Sequence, residues 1–164
     1  MVFESRDFYV DLVERNDLNK VVEVYNSNQI FLINHIGKTE VTAEWISEEM
    51  SSMDEVGFYT HKIIEKCSGN IIGIIDFKVN EETYLSLLML HNDYKNCGLG
   101  KQIFRALEGH VRSIGSKSIR IDVVSNYNKD VFDFWHKRGF VKDQDITLEW
   151  GEKLLLAAVM KKQL

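Results

Sequence analysis

The sequence contains no proline, and only two of its 164 residues are cysteine. Without proline, the turns between secondary-structure elements have to be made by Gly, Asn, Asp and Ser. Cys67 and Cys97 lie far apart and form no CxxC pair, which excludes a disulfide framework and a zinc knuckle. Free thiols of this kind favour a reduced, intracellular setting.

Long apolar runs and an excess of positive charge are also missing. The longest apolar stretch, LLLAAVM at 154–160, is too short to span a bilayer, and charged residues begin at position 4. The 20 Lys and Arg are outnumbered by 25 Asp and Glu, which gives a net charge of −5. We therefore expect a cytoplasmic protein that binds neither nucleic acid nor membrane and mildly favours a cationic ligand.

The chain is long and apolar enough, at 45% hydrophobic residues, to bury one core, so we expect a single domain over 1–164. The first third alternates like a strand over 8–14 and has helical spacing over 16–28. A second helix is predicted to begin at Thr42, which can cap it. The apolar segment IFLINHIG, 30–37, is predicted to be a loop between the two helices.

The centre of the chain is rich in β-branched and aromatic residues and predicts an antiparallel meander. A helix over 99–114 then separates strand 85–90 from strand 119–124, and the crossover rule makes these two strands parallel. A short helix and a closing hairpin follow. The predicted fold is therefore α/β of the α+β kind, with a mostly antiparallel sheet and one parallel pair.

The stretch DYKNCGLGKQIF places Gly98 and Gly100 at the start of the predicted helix. No Ser or Thr caps this helix, so its first N–H groups are available to an anion, and the glycines allow close approach. Lys95 and Lys101 flank the loop. The pattern suits a pyrophosphate bound by the amides of residues 96–101, although a tight turn that merely needs glycine remains an alternative.

Two other phosphate-binding loops fit the stretch less well. A Walker A motif has four residues between its first glycine and Gly-Lys-Ser/Thr, whereas GLGKQ has one and ends in Gln102. A dinucleotide-binding fingerprint has a third glycine where Ile103 stands, although Asp122 follows at nearly the expected distance. A nucleotide-binding domain that uses the glycine loop and Asp122 stays as a weaker alternative.

The segment LMLHNDYKNCGLGKQIFRALEGHV resembles the acyl-CoA-binding motif of the GNAT superfamily of N-acyltransferases, in which Gln/Arg-x-x-Gly-x-Gly/Ala follows a bulged strand. The later segment NKDVFDFWHKRGF is similar to the second motif of that family, with Asn128, Phe134, Gly139 and Phe140 in place. The predicted order of strands and helices along the whole chain also matches the family.

This resemblance implies transfer of an acetyl group from acetyl-CoA to an amine by direct attack, without a metal. It implies that the pantetheine arm pairs with the backbone of strand 85–90 where the two parallel strands splay, and that the Leu90 amide faces the thioester oxygen. The residues it assigns to coenzyme A binding are Leu88, Met89, Leu90, Lys95, Asn96, Cys97, Gly98, Leu99, Gly100, Lys101, Asn128 and Trp135.

This sequence differs from the family at the two positions that usually carry the proton-transfer groups. Trp135 stands where many members have the tyrosine that protonates the thiolate, and an indole N–H is not a useful acid. The strand position that carries a glutamate base in several members is Tyr84 here. We consider Tyr84 and Glu82 as groups that position a water, with an ordinary sheet residue and a solvated turn as the alternative readings.

Phe31, Ile33 and His35 would, by analogy, wall the pocket for the acceptor. His35 is a candidate base, although a lone loop histidine is more often polar surface. The expected acceptor is a primary amine on a small cationic metabolite such as a polyamine or an amino sugar. A protein N-terminus or lysine, or a catalytically idle CoA-binding module, are the alternatives. A homodimer is common in the family.

Overall fold

The structure, a computed structural model, describes residues 1–125, 127–150 and 152–164. Its described residues form one eight-stranded sheet in the order β1-β2-β3-β4-β5-β6-β8-β7. The strands are β1 (Phe3–Glu4), β2 (Phe8–Leu12), β3 (Tyr59–Glu65), β4 (Ile71–Lys78), β5 (Glu82–Leu90), β6 (Ser118–Val124), β7 (Val141–Trp150) and β8 (Lys153–Gln163).

Five α-helical segments surround the sheet in the described part of the chain. Thr42 caps the third of them as predicted, because its hydroxyl accepts a bond of 3.2 Å from the Trp45 amide. The segments are α1 (Leu18–Asn26), α2 (Gln29–Phe31), α3 (Ala43–Glu55), α4 (Leu99–Ser113) and α5 (Lys129–His136). Within the residues described, no helix is both long and apolar enough to cross a membrane.

The predicted loop over 30–37 is wrong. After α2 the chain continues as a π-helical turn, Leu32–Ile36, and ends at Gly37 in the left-handed conformation. Apolar residues crowd this segment without a clear helical period, so its sequence alone does not indicate a helix. The turn forms because it buries Leu32 and His35 against the rest of the molecule.

Two apolar layers hold the helices on opposite faces of the sheet. The larger one packs α4 and α5 onto the sheet through fully buried side chains such as Phe104, Leu107 and Phe140. The smaller one packs α1 and α3 on the other face, around Val24 and Ile46. Each helix therefore buries one apolar stripe, which is the usual source of helix stability in a small domain.

The predicted parallel pairing of β5 and β6 is confirmed, but it is short. Only residues 82–84 and 118–120 are in register, and the strands separate after that point. On its other edge β5 pairs with β4, where the register shifts so that Ser86 has no partner. This bulge reverses the alternation of side chains, so that Leu85 and Leu88 both face the α4 side of the sheet.

Candidate active site

A cleft of about 580 Å³ opens where β5 and β6 separate. One wall is the edge of β5 from Leu85 to Leu90, and the opposite wall is the edge of β6 from Ile121 to Val124. The start of α5 and the segment around α2 close its ends. Since the two facing strand edges are not paired with each other, their backbone groups are available to an extended ligand that enters between them.

The loop before α4 leaves the beginning of that helix open. Gly98 occupies the position before the first helical residue, with φ at 81° and no side-chain cap. An L side chain rarely adopts that dihedral, which is the reason for glycine there. The N–H groups of Leu99, Gly100 and Lys101 in the first turn have no intrahelical acceptor, so an anion could bind them. Asn96 also has a positive φ, 61°.

The nearest neighbour of Gly100 is a side chain of the protein, whereas its motif suggests close approach by a phosphate. A Cβ built on it would touch the ring of Phe134 at 3.5 Å, which is ordinary contact. Its part in admitting a phosphate therefore stays a prediction, whereas Gly98 is required by its backbone conformation alone.

Two lysines and a cysteine accompany this loop. Lys95 lines the cleft, and partial burial lowers the pKa of its amine. Lys101 is exposed in the first turn of α4. The Cys97 thiol is exposed and donates a bond of 3.0 Å to the carbonyl of Tyr94. A positive rim beside bare amides suits a phosphate-bearing ligand.

The beginning of α5 forms the next part of the cleft. Asn128 caps this helix, because its side-chain oxygen accepts a bond of 3.1 Å from the Asp130 amide. Trp135 lines the cleft but is only 8% exposed. Its ring packs against three aromatic rings of the core, at centroid distances of 5.3, 4.8 and 5.4 Å from Phe104, Phe134 and Phe140.

Asn28 is a cleft residue that the sequence did not single out. Its amide nitrogen donates bonds of 3.0 Å to the Leu90 carbonyl and 2.8 Å to the Val24 carbonyl, and it is buried. It thereby fastens the end of α1 to the end of β5. An asparagine after a helix is a common terminator, so nothing in the sequence indicates this contact 62 residues away.

Tyr84 and Glu82 lie outside the lining of the cleft. The Tyr84 hydroxyl donates a bond of 2.5 Å to Asp122, and burial together with this carboxylate raises the pKa of Tyr84 far above its usual range. Glu82 forms an ion pair of 3.0 Å with Lys161. Their action on a water stays a prediction, and the Tyr84 phenol is a proton donor here, not a base.

Asp122 brings a carboxylate to the floor of the cleft. Arg120 donates two bonds of 2.9 Å to it, in addition to the one from Tyr84, and the side chain is 3% exposed. Asp122 lies two residues after Arg120, the last residue of β6 that pairs with β5, where these two strands begin to separate. Arg120 therefore occupies both oxygens of this carboxylate, which lies within β6 and not at its end.

The three residues expected at the acceptor pocket do not share one place. Phe31 and His35 line the cleft, whereas Ile33 is 50% exposed and does not. His35 is buried and its Nδ1 lies 3.0 Å from the hydroxyl of Tyr127. Burial and the nearby charge of Lys153 lower the pKa of His35 to about 4. Its alternative reading as polar surface is therefore wrong.

Tyr127 is a second cleft residue that no sequence motif indicates. It lines the cleft from the β6 side and reaches across to His35 on the α2 side. A lone tyrosine in a loop carries no pattern, and the contact joins residues 92 positions apart. Among the residues that the structure describes, no group of three or more His, Cys, Asp or Glu could hold a metal ion.

Comparison with known proteins agrees with this geometry. The family model described as "Acetyltransferase (GNAT) family" matches residues 19–140, a range that contains the residues lining the cleft. The chain belongs to the GNAT acetyltransferase family. That assignment confirms the expected type of enzyme, an acetyltransferase that uses acetyl-CoA as its donor.

Solved structures share the fold at low sequence identity. The spermidine N-acetyltransferase from Vibrio cholerae, in complex with CoA and spermine, has a TM-score of 0.74 at 14% identity, over 97% of this chain and 96% of that one. An acetyltransferase from Thermus thermophilus has a TM-score of 0.74 at 18% identity, over 96% of this chain and 97% of that one. The PaiA N-acetyltransferase from Thermoplasma acidophilum, in complex with coenzyme A, has a TM-score of 0.66 at 17% identity, over 96% of this chain and 99% of that one. No curated protein sequence matches the chain.

Proposed function

We propose that the protein transfers the acetyl group of acetyl-CoA to the primary amine of a small molecule bound at the α2 end of the cleft. The observation that carries this proposal is the cleft between the separated strands, which runs from Lys95, in the loop before α4, to the buried His35. The donor and the acceptor can then meet beside the end of β5.

Each donor group has a place in this proposal. The amides of residues 96–101 and the two lysines bind the pyrophosphate, and the pantetheine arm runs along Leu88 and Met89. The neutral amine attacks the thioester carbonyl, whose oxygen becomes negative and is stabilised by the Leu90 amide. Asn28 supports this step because it holds the Leu90 carbonyl, and with it the end of the strand.

For the acceptor we propose a small cationic amine. The net charge of −5 supports a ligand that carries positive charge away from the reacting nitrogen. One of the structural neighbours is a spermidine N-acetyltransferase. The aromatic side chains of Phe31 and Tyr127 add an apolar wall that fits the carbon chain of such an amine.

Two measurements test the proposal in sequence. Coenzyme A should raise the melting temperature increasingly as its concentration rises, whereas NAD and ATP should not. Thiol release from acetyl-CoA should then appear with at least one member of a panel of polyamines, amino sugars, amino acids and short peptides. Tight coenzyme A binding with no thiol release from any amine would contradict the proposal and favour a CoA-binding module. Turnover with the peptides alone would move the acceptor to a protein.

A further inference from the structure

Acetyl transfer leaves a thiolate on coenzyme A, and that sulfur has to gain a proton. Trp135 stands where the second motif of the resemblance has tyrosine, and its ring is packed into the aromatic core. An indole N–H does not supply the proton. If the proposed acetyl transfer occurs, another group in the cleft has to protonate the sulfur.

Four titratable side chains line the cleft in the part of the chain that the structure describes: His35, Lys95, Asp122 and Tyr127. Asp122 already accepts three hydrogen bonds, from Arg120 and Tyr84, so both of its oxygens are occupied. Lys95 lies at the loop before α4, beside the proposed pyrophosphate site. This leaves the pair formed by His35 and Tyr127.

Tyr127 lines the cleft beside the start of α5. It directly precedes Asn128, whose side chain caps α5, and it lines the same cleft as Leu90 and Trp135. Its hydroxyl lies 3.0 Å from Nδ1 of His35, and the two rings meet edge to face with centroids 6.3 Å apart. Burial raises the pKa of Tyr127 to about 12, so the phenol carries its proton at physiological pH, and a phenolate formed there takes a proton readily from His35.

The imidazole of His35 is held rigidly by its surroundings. Phe31 stacks on it at 4.6 Å and Trp150 meets it edge on at 4.5 Å. The Lys153 ammonium donates to the carbonyls of Ile33 and Asn34 and so fastens the helical turn that carries the ring. With a pKa near 4 the ring is neutral at physiological pH, which lets one nitrogen accept a proton while the other donates.

We propose that Tyr127 donates its phenolic proton to the departing thiolate, and that His35 positions and reprotonates it. The amine forms its C–N bond, the C–S bond breaks, and the sulfur takes the proton from Tyr127. The new amide nitrogen releases its extra proton to Nε2 of His35, whose Nδ1 proton passes to the phenolate. The net change is one proton moved from nitrogen to sulfur. Tyr127 returns to its starting state, whereas His35 ends with its proton on Nε2 and regains the Nδ1–H tautomer by proton exchange with solvent before the next turnover.

The central experiment compares Tyr127→Phe with the unchanged enzyme on acetyl-CoA and its best amine. Loss of a general acid typically lowers a rate by about 10² or more, so we expect kcat to fall about 100-fold. The dissociation constant for coenzyme A, measured by calorimetry, should stay within a factor of about two because a hydroxyl that binds no part of the cofactor tightly contributes little. Tyr9→Phe, in β2, is the matched control and should leave kcat unchanged.

Two further variants separate proton donation from a structural role. Tyr127→3-fluorotyrosine keeps the shape of the ring and makes the phenol more acidic, so kcat should change while the melting temperature does not. His35→Gln can still bond to the Tyr127 hydroxyl but cannot relay a proton, so its kcat should fall with coenzyme A affinity retained.

The outcomes distinguish this inference from the function on which it rests. An active wild type whose Tyr127→Phe variant keeps more than half of kcat overturns the inference and leaves the proposed acetyl transfer standing. Equal kcat for the fluorotyrosine variant and the wild type also overturns it. A wild type that binds coenzyme A but releases no thiol with any amine overturns the proposed function, and the inference with it.

Discussion

The two ends of the cleft are built from different parts of the chain. At the proposed donor end, Lys95 lines the cleft, and residues 96–101 next to it offer backbone amides and a second lysine, all within one short stretch of sequence. At the acceptor end, defined by segment 29–36 with Tyr127 and Trp150, side chains from three distant parts of the chain meet around one histidine.

This difference shows how each end tolerates change. Backbone amides depend on the local dihedral angles, so one glycine controls the donor end. The acceptor end depends on packing between elements, so its geometry fails when any one of several contacts is lost. Substitutions at each end, compared with matched controls, should therefore have different effects.

The largest effect on stability is expected from the tryptophans. Trp135→Ala removes a ring that is 8% exposed and surrounded by three aromatic rings, and should lower the free energy of unfolding by about 3–5 kcal/mol. Trp150→Ala, on the partly exposed hairpin, should cost less than half of that because less apolar area returns to water. Urea denaturation of both variants measures the difference, and equal losses would contradict it.

The next effect is a dependence of stability on pH at the acceptor end. His35 has a folded pKa near 4 against an ordinary 6.5, so the unfolded chain binds a proton there first. Stability should therefore fall as pH drops from 6.5 towards 4, by up to about 3 kcal/mol. His35→Gln should remove this loss, measured as the difference between the two unfolding curves at pH 7 and pH 4.5.

That difference has to be taken between matched proteins because other groups also titrate in this range. His61 and His110 have lowered pKa values, so they also make the protein less stable as pH falls. Buried Asp76 has a pKa raised to about 7, so its contribution makes the protein less stable as pH rises. Parallel pH profiles for the wild type and His35→Gln would show that His35 is not held neutral by the fold.

A smaller effect is expected from Gly98 at the donor end. Alanine at φ 81° costs about 1–2 kcal/mol, and the loop should relax away from the conformation that exposes the amides of α4. We expect Gly98→Ala to weaken coenzyme A binding about tenfold. Gly109→Ala, in the middle of the same helix with open space around its Cβ, is the control and should bind normally with slightly higher stability. Unchanged affinity in Gly98→Ala would speak against the loop as the pyrophosphate site.

The smallest effect is expected from Lys153, which donates to two carbonyls of the turn that carries His35. Lys153→Met should cost about 1 kcal/mol of stability and raise KM for the amine, with the dissociation constant of coenzyme A unchanged. Lys142→Met, which removes an exposed ion pair with Asp145, is the comparison and should leave both constants alone. A larger change in coenzyme A binding than in the amine KM would mean that the two ends are not independent.

The helices, the meander and the parallel pair were predictable because each rests on a periodic pattern or on a cap such as Thr42. The loop prediction for 30–37 was wrong because that turn forms only when Leu32 and His35 are buried. The assignment of residues 96–101 to a pyrophosphate site rests on a local glycine motif. Asn28 and Tyr127 could not be found in the same way, since each acts through a single contact with a distant residue.

The local structure of the proposed donor end can be predicted from a short stretch of sequence. An uncapped helix preceded by glycine is a property of a few consecutive residues, and the backbone conformation that it requires can be read from them. The proposed acceptor end depends instead on contacts between distant residues. The short pairing of β5 with β6 opens the cleft, and packing against Phe31, Tyr127 and Trp150 keeps His35 buried and neutral. Burial and long-range contacts are set by the whole fold, and no local pattern encodes them.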